Sequence, residues 1–315
     1  MKISVLEPLG INKELLIAKI QKAIGKEIEL VCYDDRKEDE KTLIERSKDS
    51  DIVVLSNIKY RKSVIEHCPN LQFICVAFTG VDHIDLDYCQ ERKILVSNCA
   101  GYSTVAVADL VFALTLDLAR NVIPLDTKCR KEGTKNGLVG FELEGKKFGI
   151  IGMGAIGKRV AKIAHAFGSE VYYFSRTQKN ISYATYTDLE TLLKTCDIVS
   201  LHVPQNNKTI GLIGKKELAL MKKSAFLINT ARGPIVDAKA LTEALNKGTI
   251  AGAGIDVFEM EPPIPHDYPL LQARNVIVTP HIAFASDQAF EKRADIIAEN
   301  LKQYLNNTPI NVISR

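Results

Sequence analysis

Short β-type runs alternate with helix-length amphipathic stretches along almost the whole chain, and few folds accommodate that pattern. It is the mark of a parallel sheet whose crossovers are helices and whose two faces are both covered. The first strand candidates fall at 3–6, 28–33, 51–55, 73–77 and 94–97, separated by helical stretches such as 12–23 and 38–48. A long apolar helix over Thr104–Arg120 and a polar, glycine-containing stretch at 131–145 come next. A second series follows, with strand candidates at 148–151, 171–174, 198–201, 225–229, 253–257 and 276–279, then a last long helix at 286–305. Six strands with intervening helices predict a doubly wound sheet. The run EMEPPIPHDYP at 259–269 is a proline-rich loop that cannot be regular structure.

At 315 residues the chain has the length of about two domains. Hydrophobic residues at 46% and charged residues at 25% predict a chain that folds throughout. The formal net charge of +3 offers no electrostatic footprint for a nucleic acid or a membrane, so any anion specificity has to be local. Seven scattered cysteines, odd in number and without a C-x-x-C pair, argue for reduced thiols and against a disulfide framework or a metal site. The apolar stretch at 3–6 is too short for a secretory signal, which leads to the expectation of a cytoplasmic protein. The Thr104–Arg120 helix falls short of a membrane span and carries Asp109 and Asp117, so it reads as a buried or interface helix.

The most informative local signal is Gly152-Met153-Gly154-Ala155-Ile156-Gly157, directly after the strand KKFGII and directly before a helical pattern. Glycines there permit a tight turn and let a pyrophosphate approach the amides of a helix N-terminus, where the dipole favours anions. A glycine-rich turn with no ligand is the bland alternative. The same letters nearly spell a P-loop, but that motif needs Ser or Thr after Lys158 to hold magnesium, and the chain has Arg159. At the end of the next strand, where an NAD-binding fold usually has an acid for the ribose hydroxyls, the sequence reads Ser175-Arg176-Thr177. Hydroxyls and a guanidinium suit a 2′-phosphate, so NADP is expected to be preferred and NAD to bind more weakly, with Lys179 a possible further contact.

These features, with LHVPQNNKT at 201–209, NTARGPIVD at 229–237, GAGIDVFEMEP at 252–262 and TPHIA at 279–283, resemble the D-isomer-specific 2-hydroxyacid dehydrogenases over essentially the whole chain. The Ser175-Arg176-Thr177 run is similar to that of the family's NADPH-preferring glyoxylate, hydroxypyruvate and hydroxyphenylpyruvate reductases. The resemblance implies two α/β domains of Rossmann-like or flavodoxin-like type. A coenzyme domain at 98–284 would be inserted into a substrate domain made of 1–97 and 285–315.

For reduction of a 2-oxo acid the resemblance supplies three residues. Arg232 matches the family arginine, and its planar fork suits the substrate carboxylate. His281 matches the acid/base, since an imidazole near neutrality suits reversible proton transfer. Glu261 matches the carboxylate that orients this histidine and favours its protonated form. The turn Thr79, Gly80 and Val81 sits where the family offers backbone N–H groups to the carboxylate. Expected coenzyme contacts are Thr104, Gly152, Gly154, Ala155, Ile156, Gly157, Ser175, Arg176, Thr177, His202, Val203, Pro204, Thr230, Ala231, Asp256 and His281. Asp256 could accept from the nicotinamide carboxamide. His202 is given no acid/base role, His83 reads as a surface or packing histidine, and His67, His165 and His266 have no motif around them. Ala283 with Phe284 stands where many relatives have glycine, and Gln205-Asn206 where a threonine is common.

The expected activity is thus NADPH-dependent reduction of a small 2-oxo acid, glyoxylate or hydroxypyruvate, to the D-2-hydroxy acid. The alternative is an NAD(P)-sensing co-regulator on the same scaffold. A homodimer is expected by family analogy, because the apolar 104–120 helix needs burial on nearly all sides.

Overall fold

The structure, a computed structural model, describes residues 1–25 and 28–313. The chain divides into two compact units, one made of Met1–Ser103 with Ala285–Arg315 and the other of Thr104–Phe284. The division falls at 103/104 rather than the expected 97/98, because Cys99–Ser103 stays with the first unit: the Cys99 N–H donates to the Phe78 carbonyl at 2.9 Å. Positions 314 and 315, expected to end this domain, lie outside the described residues.

The first unit runs β1 (Lys2–Val5), α1 (Lys13–Ile24), β2 (Glu29–Cys32), α2 (Glu40–Ser47), β3 (Ile52–Leu55), α3 (Lys62–Ile65), β4 (Phe73–Val76), α4 (Leu86–Glu91) and β5 (Leu95–Asn98). Its strands form one parallel sheet in the order β2-β1-β3-β4-β5. All four residues of β3 and of β4 are buried, which is why these strands read as continuous apolar runs rather than alternating ones.

The second unit runs α5 (Thr104–Arg120), α6 (Val122–Cys129), β6 (Lys147–Ile151), α7 (Ala155–Ala166), β7 (Glu170–Phe174), β8 (Thr185–Tyr186), α8 (Leu189–Thr195), β9 (Ile198–Leu201), α9 (Lys215–Leu220), β10 (Phe226–Asn229), α10 (Ala238–Lys247), β11 (Gly252–Ile255) and β12 (Val276–Val278). A final helix, α11 (Asp287–Leu305), capped by the Ser286 hydroxyl, returns to the first unit and packs on α1. The seven strands of the second unit are parallel in the order β12-β11-β10-β9-β6-β7-β8. Alternate residues feed two separate cores: Ile150, Ile198 and Ile228 pack with α5 and α7, while Ile151, Val199 and Leu227 pack with α8 to α10. The sheet is covered on both faces, as its sequence requires.

Two elements were not expected. Strand β8 has two exposed residues at the sheet edge, and α6 buries none of its side chains, so neither carries a periodic apolar signal. The apolar α5 is buried by its own unit along one face, and Val105, Asp109 and Ala113 lie exposed on the other. No helix among the described residues is long and apolar enough to cross a membrane.

Candidate active site

In the second unit, chain order along the sheet reverses between β6 and β9: β7 and β8 extend one way, β10 to β12 the other. Open α/β sheets bind ligands outside the carboxyl ends of the strands at such a reversal. Most of the expected coenzyme and catalytic residues sit on that edge: 152–157 after β6, 175–177 after β7, 202–204 after β9, 230–232 after β10, 256 after β11 and 281 after β12. Thr104 opens α5.

The three glycines of the loop have different duties. Gly152 has φ +105°, and a Cβ there would stand 2.6 Å from the His202 carbonyl; at Gly157 it would stand 2.1 Å from the Gly152 oxygen. Both are demanded by backbone packing. At Gly154 a Cβ would meet nothing within 4 Å, so the fold itself has no need of glycine there. What its bareness leaves open is the start of α7, where the N–H groups of Gly154, Ala155 and Ile156 donate to no acceptor among the described residues. No acidic side chain stands in that first turn. A set of unspent amides at the positive end of a helix fits a pyrophosphate.

Two further features agree with a bound coenzyme. The Thr230 hydroxyl, at the end of β10, is buried without a hydrogen-bond partner, which is rare unless a ligand or water supplies one. The loop after β7 is pre-shaped: the Tyr173 hydroxyl donates to the Lys179 carbonyl and accepts from the Lys179 N–H, both at 2.8 Å. The Ser175 hydroxyl donates to the Thr177 carbonyl at 2.6 Å, so it is spent on the loop, while Arg176 and Thr177 stand exposed. Tyr173, fully buried, reads as a core strand residue in the sequence, and only the tertiary contact reveals it as the support of this loop. Burial pushes the His202 imidazole down to about 3, so it is neutral near pH 7 and no proton donor; its Nε2 pairs with the Ser200 hydroxyl at 2.9 Å. Val203 packs by the Gly152 backbone, and the Pro204 carbonyl accepts from Thr209 Oγ1 at 2.6 Å.

The expected acid/base pair is brought together. His281 Nδ1 lies 2.8 Å from Glu261 Oε2, with the two side chains 11% and 36% exposed. An ionised carboxylate only accepts, so Nδ1–H is the donor in this pair. His281 has φ 56°, in the left-handed region that non-glycine residues seldom visit. Asp256 holds it there. Its carbonyl accepts the His281 N–H at 2.8 Å, and its carboxylate takes Thr279 Oγ1 at 2.6 Å, Ile282 N–H at 2.8 Å and Ala283 N–H at 2.9 Å. Burial raises the Asp256 carboxyl above its ordinary value against these hydrogen bonds. Asp256, expected at the coenzyme, thus also clamps the histidine loop.

Arg232 follows β10, where Asn229 ties the turn by donating to the Arg232 carbonyl at 2.9 Å and accepting from the Ala231 N–H at 3.0 Å. Arg232 Nη1 donates to the Ala231 carbonyl at 2.8 Å. At the next residue, Gly233, a Cβ would stand 2.0 Å from the Phe258 carbonyl. This glycine therefore lets the arginine turn lie against the backbone that leads to Glu261. The glycine after Arg232 in the ARGP run is the sequence signal of this close approach.

In the first unit, Thr79, Gly80 and Val81 are half-buried after β4, and none of their N–H groups donates among the described residues. Asn98 Nδ2 holds the turn through the Thr79 carbonyl at 2.7 Å. His83 is buried, in keeping with a packing role.

Residues 112–283 match the family model described as D-isomer specific 2-hydroxyacid dehydrogenase, NAD binding domain. The chain is 42% identical over 294 residues to a glyoxylate reductase of Thermococcus litoralis, covering 89% of this chain and 88% of that one. It is 34% identical to a hydroxypyruvate reductase of Blautia hydrogenotrophica, with both chains covered in full. Among solved structures it superposes with a TM-score of 0.91 on an acyclic imino acid reductase in complex with NADPH and D-Arg, at 34% identity and full coverage of both chains.

Proposed function

The chain belongs to the D-isomer-specific 2-hydroxyacid dehydrogenase family, and from that premise we propose that it reduces a small 2-oxo acid, glyoxylate or hydroxypyruvate, to the D-2-hydroxy acid with NADPH. It is a D-2-hydroxyacid dehydrogenase that uses a nicotinamide coenzyme. The finer reading rests above all on the His281–Glu261 pair, held at the same sheet edge as the glycine loop and Arg232.

When bound, the coenzyme supplies a hydride to C2 of the oxo acid. The amides of Gly154, Ala155 and Ile156 would hold its pyrophosphate, with Gly152 and Gly157 shaping the loop. Arg176 and Thr177 would bind the 2′-phosphate on the loop that Ser175 orders. Thr104, His202, Val203, Pro204, Thr230, Ala231 and Asp256 would line the rest of the coenzyme site. Asp256 Oδ2 accepts only one hydrogen bond within the loop, which leaves it a lone pair for the carboxamide. Arg232 pairs with the substrate carboxylate and polarises the ketone, and the N–H groups of Thr79, Gly80 and Val81 are proposed as further carboxylate donors. Protonated His281 gives its Nε2 proton to the carbonyl oxygen as the hydride arrives, while Glu261 keeps the ring oriented and balances the charge.

An initial-rate panel with NADPH and NADH against glyoxylate, hydroxypyruvate, pyruvate and phenylpyruvate tests this reading. NADPH oxidation with the first two is expected. Tight coenzyme binding without turnover of any 2-oxo acid would establish the co-regulator instead. We also propose a homodimer built on α5 and the segment after it, because Val105, Val122, Ile123 and Val139 are large apolar residues left exposed there. Light scattering should give twice the chain mass of 34.9 kDa; a monomer mass would refute the dimer.

A further inference from the structure

Glu261 meets His281 from the loop that runs from Phe258 to Tyr268. The loop holds no helix or strand, and Pro262, Pro263 and Pro265 have no N–H to give, so few backbone hydrogen bonds can set its course. Side chains must do more of that work. Tyr268, at the far end, donates its phenol O–H to Glu259 Oε2, and its ring stands edge-on to the Phe258 ring, with centroids 5.6 Å apart and planes at 85°. The tyrosine therefore bridges the two ends of the loop, and its partner Glu259 is two residues from Glu261.

Tyr268 is itself firmly seated. Its N–H donates to the Pro265 carbonyl at 3.0 Å, its carbonyl accepts the Leu271 N–H at 2.9 Å, and Leu270, in the turn at Pro269–Gln272, is buried in the core. On the other side, the Phe258 carbonyl lies 2.0 Å from where a Cβ at Gly233 would stand. Phe258 is thus held between the Arg232 turn and the Tyr268 ring. Burial, with the Glu259 carboxylate beside it, pushes the phenol up from its ordinary value, so it stays protonated at neutral pH and donates. Packing on Phe258 asks only for a ring, which phenylalanine would supply. The hydroxyl adds a charge-assisted bond to the carboxylate.

Resting on the reading of the protein as a 2-oxo acid reductase, we propose that Tyr268 is a positioning residue for the proton donor: through Glu259 it fixes the start of the loop from which the Glu261 carboxylate meets His281 Nδ1. Glu261 favours the protonated imidazole only while its oxygen stays within hydrogen-bond distance, and reduction needs that proton. Without the Tyr268 hydroxyl the loop carries Glu261 away from the ring for part of the time, and His281 loses its proton at a lower pH. Glu261 and Asp256 are the carboxylates beside His281, and Arg232 follows the neighbouring strand β10. On the loop itself Glu259, His266 and Asp267 are ionisable and exposed. Tyr268→Phe leaves every one of these charges in place, so a change in pH dependence reports position rather than charge.

The test is the pH profile of kcat/KM for glyoxylate reduction at saturating NADPH. In Tyr268→Phe the alkaline limb should move to lower pH by about half a unit or more, so that activity falls further at alkaline than at acid pH. Glu259→Ala, a change at an exposed residue, should move the limb in the same direction. Tyr268→Phe added to Glu259→Ala should move it no further, because both substitutions break one bond. A Tyr268→Phe profile that superposes on the wild type overturns the proposal even if Tm falls, since the hydroxyl would then serve stability alone. Independent, additive shifts in the double variant overturn it as well. Failure of the wild type to reduce any 2-oxo acid would instead remove the functional reading beneath it.

Discussion

Replacing His281 with glutamine is expected to lower kcat by about two to four orders of magnitude while NADPH binding, followed by coenzyme fluorescence, stays close to wild type. The amide of glutamine keeps a polar group of similar reach but cannot release a proton to the carbonyl oxygen. The backbone should survive the exchange, because what holds position 281 is the chain around it: its N–H bonds to the Asp256 and Thr279 carbonyls, and the Asp256 carboxylate grips Thr279, Ile282 and Ala283. The loss can then be assigned to proton transfer rather than to a displaced loop. Turnover within about tenfold of wild type would remove His281 from the role of proton donor.

That separation between the group that reacts and the groups that hold it also marks what could be read from the sequence. Central strands such as β3 and β9 announce themselves, since burial on both faces demands uninterrupted apolar runs. Helix α5 was legible to its ends from composition alone. Strand β8 and helix α6 were not, because an edge pair of exposed residues and a helix with no buried face impose no pattern on their letters.

The site divides the same way. His281, Glu261 and Arg232 lie in runs of adjacent letters that resemble a family. The work of Asp256 on the loop twenty-odd residues downstream, of Gly233 against the Phe258 carbonyl and of Tyr173 on the Lys179 backbone exists only once the strands are side by side. The left-handed backbone at His281 is another such case: no neighbouring residue type calls for φ 56°, and the Asp256 hydrogen bonds impose it from another strand.

Coenzyme choice is expected to turn on two adjacent positions. In Ser175→Asp/Arg176→Ala the ratio of kcat/KM for NADPH to that for NADH should fall by about two to three orders of magnitude. Arg176 is exposed on a loop already shaped by the Tyr173 and Ser175 hydroxyls, so its guanidinium can reach a 2′-phosphate without reorganising the chain. Charge-assisted hydrogen bonds of this kind account for roughly one to two of those orders. The new carboxylate contributes the rest twice over, by repelling a 2′-phosphate and by accepting from the free ribose hydroxyls of NADH. Loss of the Ser175 hydroxyl also removes its bond to the Thr177 carbonyl, which makes a control necessary. Ser175→Ala alone loosens the loop without adding charge and should weaken both coenzymes by a similar factor, leaving their ratio within about threefold of wild type. If the double variant moved the ratio no further than this control does, the phosphate would be recognised elsewhere, and the Ser175-Arg176-Thr177 run would be only a solvated turn.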